Sequence, residues 1–259
     1  MRRALHRRDL GIFFDDDYIT WEKAKVRCSG YDDKEILAKV LDATLKVKRG
    51  EAACERDSML FDEMQYSWPV LAGLMWAATR NGGRLNVLDF GGALGSSYFQ
   101  NRKFLQTLSE VHWNVVEQPN YVDAGQANIQ NRHLRFYKTI KDCLDENQPQ
   151  VILLSGVLQY LEQPEKLLEE LTGLGIDNIL IDRTSFTADG ARKRLFVQHV
   201  PKSIYKASYP IWLFNESEFV KMVTSRGYEL IESFDALDSL DDRGVWKGFL
   251  FCRRGDHAI

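Results

Sequence analysis

The chain has 259 residues, enough for one large domain or for one domain with a helical extension. Hydrophobic residues make up 44% and charged residues 27%, the composition of a soluble globular protein, and a net charge of −3 gives no general reason to expect binding to nucleic acid or another polyanion. No apolar run approaches the roughly 18 residues of a membrane span. Cys28, Cys54, Cys143 and Cys252 form no CxxC pair, and the five histidines are scattered. No metal is therefore expected, and the cysteines read as reduced residues of a cytoplasmic protein.

In chain order, the opening MRRALHRRDL is basic but lacks the apolar segment of a signal peptide. It reads either as a solvated terminus or as a peripheral contact with an anionic membrane surface. Asp32 and Asp33 are placed to cap a helix whose residues Ile36, Leu37, Val40, Leu41, Thr44 and Leu45 recur at helical spacing, with Gly50 as its stop. A second helix is expected from Pro69 to Gly82-Gly83. The first eighty residues thus read as a helical extension or cap, followed by the main domain over 81–259.

From residue 85 the pattern becomes short apolar runs separated by helical stretches: LNVLDF (85–90), WNVVEQ (113–118), LRFY (134–137), VILLSG (151–156) and NILIDR (178–183). Runs with so little alternation suit strands buried on both faces of a parallel sheet, joined by right-handed crossover helices. YELIESF (228–234) and WKGFLFCRR (246–254) then follow with only the turn DDRG as an obvious break, which predicts an antiparallel pair. The expected fold is Rossmann-like α/β, with a mixed seven-stranded sheet.

The segment VLDFGGALGSSYF carries the most chemical information. A strand ends at Asp89-Phe90, a glycine loop follows, and a helix begins; ligands of such sheets lie at this end of the strands. Gly91, Gly92 and Gly95 do not have the GxGxxG spacing that seats a dinucleotide pyrophosphate, and Asp89 would repel one. An acid before the loop instead suits the ammonium of S-adenosylmethionine, a cofactor without phosphate. Glu117, at the end of the second strand, is placed to accept from both ribose hydroxyls, with Gln118 as a supplementary contact.

This D-x-G-x-x-x-G pattern resembles motif I of class I methyltransferases. The wider segments ERDSMLFDEMQYSWP, WNVVEQPNYV, LSGVLQYLEQP, IDRT and QHVPKSIYKASYPIW, spread from about Trp21 to Phe251, resemble a family of bacterial methyltransferases associated with surface-polysaccharide, O-antigen-type gene clusters. The resemblance implies a class I methyltransferase fold, S-adenosylmethionine as cofactor and a saccharide-pathway role. It implies that Ser155 and Gly156 lie near the cofactor, with Gln159 and Tyr160 closer to the acceptor, and that Tyr66 covers the methionine part. Aromatics at a junction like that of Tyr66 also commonly only pack. Relatives often carry an acid where this chain has Tyr137, which reads either as bordering the adenine or as a core aromatic.

The segment at about 184–214 is long for a connection and is expected to fold as a lid. From Arg183 to Lys206 it holds six basic residues and one acid, interleaved with Tyr205, Tyr209 and Trp212. One reading is an anionic, partly saccharide acceptor, nucleotide- or lipid-linked, with Arg183 on its phosphate or carboxylate. The other is a solvated basic loop with anchoring aromatics. His199 is the candidate general base by residue type, Asp182 an alternative base or a partner of Arg183, and Tyr160 a hydrogen-bond partner of the acceptor. The expected activity is O-methylation, less readily N-methylation, of a saccharide or small anionic acceptor. A non-catalytic cofactor-binding scaffold and a nicotinamide-dependent sugar-modifying enzyme are the competing readings.

Overall fold

The computed structural model describes residues 12–15, 17–28, 34–201, 207–238 and 243–255. In order the elements are β1 (Phe13–Phe14), α1 (Trp21–Lys25), α2 (Lys34–Arg49), β2 (Cys54–Arg56), β3 (Met59–Phe61), α3 (Trp68–Arg80), β4 (Arg84–Phe90), α4 (Ser96–Leu105), β5 (Glu110–Val116), α5 (Pro119–Asn128), β6 (Leu134–Tyr137), α6 (Ile140–Glu146) and β7 (Val151–Ser155). A 3-10 turn (Leu158–Tyr160) leads to α7 (Pro164–Gly173), β8 (Asn178–Thr187), β9 (Arg194–Val200), β10 (Ala207–Leu213), α8 (Glu216–Thr224), β11 (Tyr228–Asp235) and β12 (Gly244–Arg253).

Seven strands form one mixed sheet in the order β11-β12-β8-β7-β4-β5-β6, as the seven apolar runs predicted. The pairs β4–β5, β4–β7 and β5–β6 are parallel, and β11–β12 is antiparallel with a register shift between Leu230 and Glu232. The DDRG turn and the proposed caps Asp32 and Asp33 lie wholly or partly outside the described residues.

The chain divides into two compact units. The first comprises Lys34–Ser155 with Ile176–Leu180. Its central strands bury Val87, Leu88, Trp113, Val115, Ile152 and Leu153 completely, which is why they read as unbroken apolar runs. Helix α2 buries Ile36, Val40, Ala43, Thr44 and Val47, and Gly50 follows it with φ 80°. Helix α3 begins with Pro69 in its first turn and is followed by Gly82 and Gly83, both at positive φ.

The second unit takes the chain before Lys34, Gly156–Gly175 and everything from Ile181 onward. In it, β9 and β10 pair antiparallel over seven positions, and β1 joins the other edge of β9. Most of the described part of the segment expected as a lid over 184–214 is therefore β-structure, while 202–206 lie outside the described residues. The expected helical extension also contains strands, namely β1 and the β2–β3 hairpin. Their two- and three-residue lengths leave too little alternation to be read from sequence.

Candidate functional site

In the first unit, β4 carries Asp89 and Phe90 to the start of a tight loop. Gly91 has φ 70° and donates its amide to the Val116 carbonyl at 2.9 Å, tying the loop to β5. Ala93 is also left-handed at φ 48°, and Gly95 at φ 89° stands as N-cap of α4 without a side-chain cap. Two of the glycines are sterically required. A Cβ on Gly92 would stand 2.5 Å from Asp89 Cγ and 2.8 Å from its Oδ1, and one on Gly95 would stand 2.8 Å from Leu134.

Asp89 is 1% exposed. Its Oδ2 accepts from Trp113 Nε1 at 2.8 Å, whereas Oδ1 has no partner among the described residues. Burial pushes this carboxyl up to about 7; the Trp113 hydrogen bond opposes the rise and the nearby charge of Glu117 adds to it. A buried acceptor left unmatched beside a glycine loop lacks the cation or donor that would stabilise it.

Glu117 follows β5 and grips the loop: Oε2 accepts from the Ala93 amide at 3.3 Å and Oε1 from the Gln118 amide at 2.8 Å. Burial raises its pKa, while these two backbone bonds lower it. Gln118 is exposed as N-cap of α5, and Ser155 is half-buried at the end of β7. The Tyr137 hydroxyl donates to Glu146 at 3.0 Å and accepts from Asn147 at 2.9 Å, so this buried side chain is tied to the last residue of α6 and to its C-cap. Tyr66 packs 4.8 Å from Trp68 and 5.3 Å from Phe104, at the far end of α4. Eight residues separate Phe104 from Ser96, about 12 Å along a helix, so these ring contacts lie away from the start of α4.

In the second unit, Gly156 (φ 71°) donates its amide to the Asp182 carbonyl at 3.0 Å, and buried Gln159 donates Nε2 to the Arg183 carbonyl at 3.0 Å. These bonds hold Arg183 at φ 51°, a left-handed conformation inside a strand. Gln159 Oε1 is buried with no partner among the described residues. Arg183 Nε pairs with Asp238 at 2.5 Å, both side chains largely buried. Lys193 pairs with Glu165 at 2.5 Å and Arg194 with Asp17 at 2.8 Å. Three of the segment's six basic residues are thus engaged within the protein, whereas Arg192 is exposed and Lys202 and Lys206 lie outside the described residues.

Strand alternation sorts the remaining candidates. Gln198 and Tyr209 are directly paired, and the Tyr160 hydroxyl donates to Gln198 Oε1 at 3.2 Å while the Tyr160 and Tyr209 rings meet edge-on at 5.0 Å. His199, next along β9, projects from the opposite face. There its ring stacks on Phe13 at 4.6 Å, with Nε2 3.3 Å from Asp15 Oδ2. Trp212 shares that second face, donating to the Leu161 carbonyl at 3.0 Å, stacking on Trp21 and lying under Lys193. Tyr160 and Tyr209 are therefore brought together, His199 and Trp212 are separated from them, and Tyr205 lies outside the described residues. Gln198 was missed by residue type; its adjacency to His199 on an alternating strand is the signal that would have exposed the choice between them.

Among the described residues there is no cluster of three His, Cys, Asp or Glu side chains able to hold a metal ion, and no helix long and apolar enough to cross a membrane. No family model matches the chain, nor does any curated protein. Solved structures do. The N-terminal domain of EvdMO1 with SAH bound is similar with TM-score 0.50 and 10% identity, covering 82% of this chain and 96% of that one. The same domain in the presence of SAH and D-fucose gives TM-score 0.50 and 12% identity, over 86% and 97%. An S-adenosylmethionine-dependent methyltransferase from Clostridium acetobutylicum gives 0.47 and 10%, over 74% and 93%. At these identities the likeness is one of fold: the Rossmann-like methyltransferase architecture already evident in the strand order.

Proposed function

We propose that this protein is an S-adenosylmethionine-dependent methyltransferase acting on a saccharide acceptor in surface-polysaccharide biosynthesis. The observation that carries the cofactor assignment is the unmatched buried oxygen of Asp89 beneath a loop with no room for a side chain at Gly92. Asp89 accepts the ammonium of the cofactor's amino acid end, and Gly91, Gly92 and Gly95 allow the backbone to come close. Glu117 and Gln118 take the ribose hydroxyls, and Phe90 and Ser155 border the cofactor. Gly156 is kept as a cofactor contact on the sequence resemblance alone.

The cofactor supplies a methyl group made electrophilic by its sulfonium. For its part the chain binds, orients and excludes water. Tyr160, Gln198 and Tyr209 offer uncharged hydroxyl and amide groups in an apolar setting, chemistry that matches a hydroxyl-rich sugar better than an anion. Gln159 adds a further unmatched acceptor. The ion pairs of Arg183, Lys193 and Arg194 favour this neutral reading of the acceptor. Tyr160 orients the acceptor hydroxyl; His199 is on the other face of its strand and stabilises that edge.

Calorimetric titration with S-adenosylhomocysteine (SAH), with NADH as control, tests the cofactor assignment. Selective binding of SAH is expected, and with S-adenosylmethionine as methyl donor the sugar hydroxyls of nucleotide- or lipid-linked sugars are expected to be methylated. Binding of NADH alone, or of neither, overturns it.

A further inference from the structure

We propose that Glu55 is a cofactor-positioning residue, acting through Ser96 to set the start of α4 and with it the glycine loop. This rests on the cofactor assignment above. Glu55 is a buried carboxylate on β2, 7% exposed. It accepts a hydrogen bond from the hydroxyl of Ser96, the first residue of α4, and a second from the Ser58 amide at 3.3 Å.

Helix α4 has a gap at that point. Its N-cap is Gly95, which has no side chain to bond the free amides of the first turn. A carboxylate brought in from another element compensates the positive end of the helix there. The contact is one of two on the same helical face, because Gln100, four residues on, donates to the Gln65 carbonyl, and Arg56 holds the Gln65 side chain at 2.6 Å. Hairpin and following segment thus clasp the first turns of the helix whose N-cap ends the loop.

The hairpin turn supplies an independent observation. Asp57 and Ser58 form a two-residue connection with φ 53° and 64°, left-handed at both positions. Such turns favour Asn-Gly, and a serine at the second position holds strain that a purely connecting hairpin would shed through glycine. The strain is located where the Ser58 amide meets Glu55. On the other side of the loop, Asp89 waits with its unmatched oxygen. A shift of the α4 start moves Gly95 and Gly92, and so changes what Asp89 faces.

The test is SAH calorimetry on the full chain: wild type, Glu55→Ala, Glu55→Gln, Ser96→Ala and the Glu55→Ala/Ser96→Ala double variant, each with its melting temperature. Glu55→Ala and Ser96→Ala each remove the Glu55–Ser96 hydrogen bond and are expected to weaken SAH about tenfold, the Ser58 contact that Glu55→Ala also loses acting on the hairpin turn and not on α4. Glu55→Gln, which keeps an acceptor for Ser96, stays within about threefold, and the double variant is no weaker than either single one. A lower melting temperature with unchanged SAH affinity in the folded variants overturns the proposal, as do additive losses. Should Glu55→Ala fail to fold, Ser96→Ala and Glu55→Gln still decide. Wild-type protein that binds no SAH overturns the cofactor assignment itself, a result distinct from wild-type binding that Glu55→Ala leaves intact.

Discussion

Replacing Asp89 by Asn should remove a pH dependence from both stability and binding. The Asp89 carboxyl titrates at about 7 in the folded chain against 3.8 for an ordinary aspartate. A raised carboxyl pKa means that the folded state holds a proton the unfolded state has released, so stability is greatest at low pH and is lost as pH rises toward 7. The slope is about 1.4 kcal/mol per pH unit, or roughly 2–3 kcal/mol between pH 5 and 7. For a protein of this size that corresponds to a fall of roughly 5–10 °C in melting temperature. Other groups titrate too, so the quantity to follow is the difference between Asp89→Asn and wild type, measured by thermal denaturation from pH 5 to 8. The variant should gain on wild type steadily up to about pH 7 and then hold its lead. The cofactor ammonium selects the ionised form, so wild-type SAH affinity should climb over the same range, up to about tenfold per unit, while the variant binds weakly at every pH. Parallel melting curves across the range would refute the reasoning.

Gly92→Ala should weaken SAH at least about tenfold and cost roughly 1–3 kcal/mol in chemical denaturation, because the added methyl meets a carboxylate pinned by Trp113; near-normal binding would show that the loop relaxes. Glu117→Ala should abolish discrimination between SAH and its 2′-deoxy analogue in competition titrations, whereas wild type prefers the ribose form. His199→Ala should leave SAH affinity unchanged and cost about 1 kcal/mol of stability through the lost Asp15 contact; a hundredfold fall in methyl transfer would restore it as the base. Gln198→Leu should also leave SAH affinity unchanged while raising the KM for a saccharide acceptor. A loss of SAH binding in that folded variant would contradict the separation of roles.

The central strands are legible because burial on both faces writes itself into β4, β5 and β7 as uninterrupted apolar runs. The glycine loop is legible because backbone geometry at Gly92 and Gly95 tolerates so little else. Partners distant in sequence are hidden. Asp238 is 55 residues from Arg183, and its ion pair removes the arginine from the role that residue type alone suggested. Glu55 lies 41 residues before Ser96 and shows only as an acid in a short polar turn. His199 illustrates a different limit: residue type alone does not carry period two, which puts Gln198 and His199 on opposite sides of β9 and brings Gln198 to Tyr160.

The pairing of β1 with β9 bears on the order in which the molecule is made. Asp15 and His199, which meet along that edge, are 184 residues apart. By the time His199 leaves the ribosome, all of residues 34–180 have been synthesised, including the glycine loop and every strand of the first unit. At ordinary translation speeds that interval is on the order of ten seconds or more, ample for a unit of local crossovers to order itself. Of the described strands, β1 is therefore made early and finds its place late.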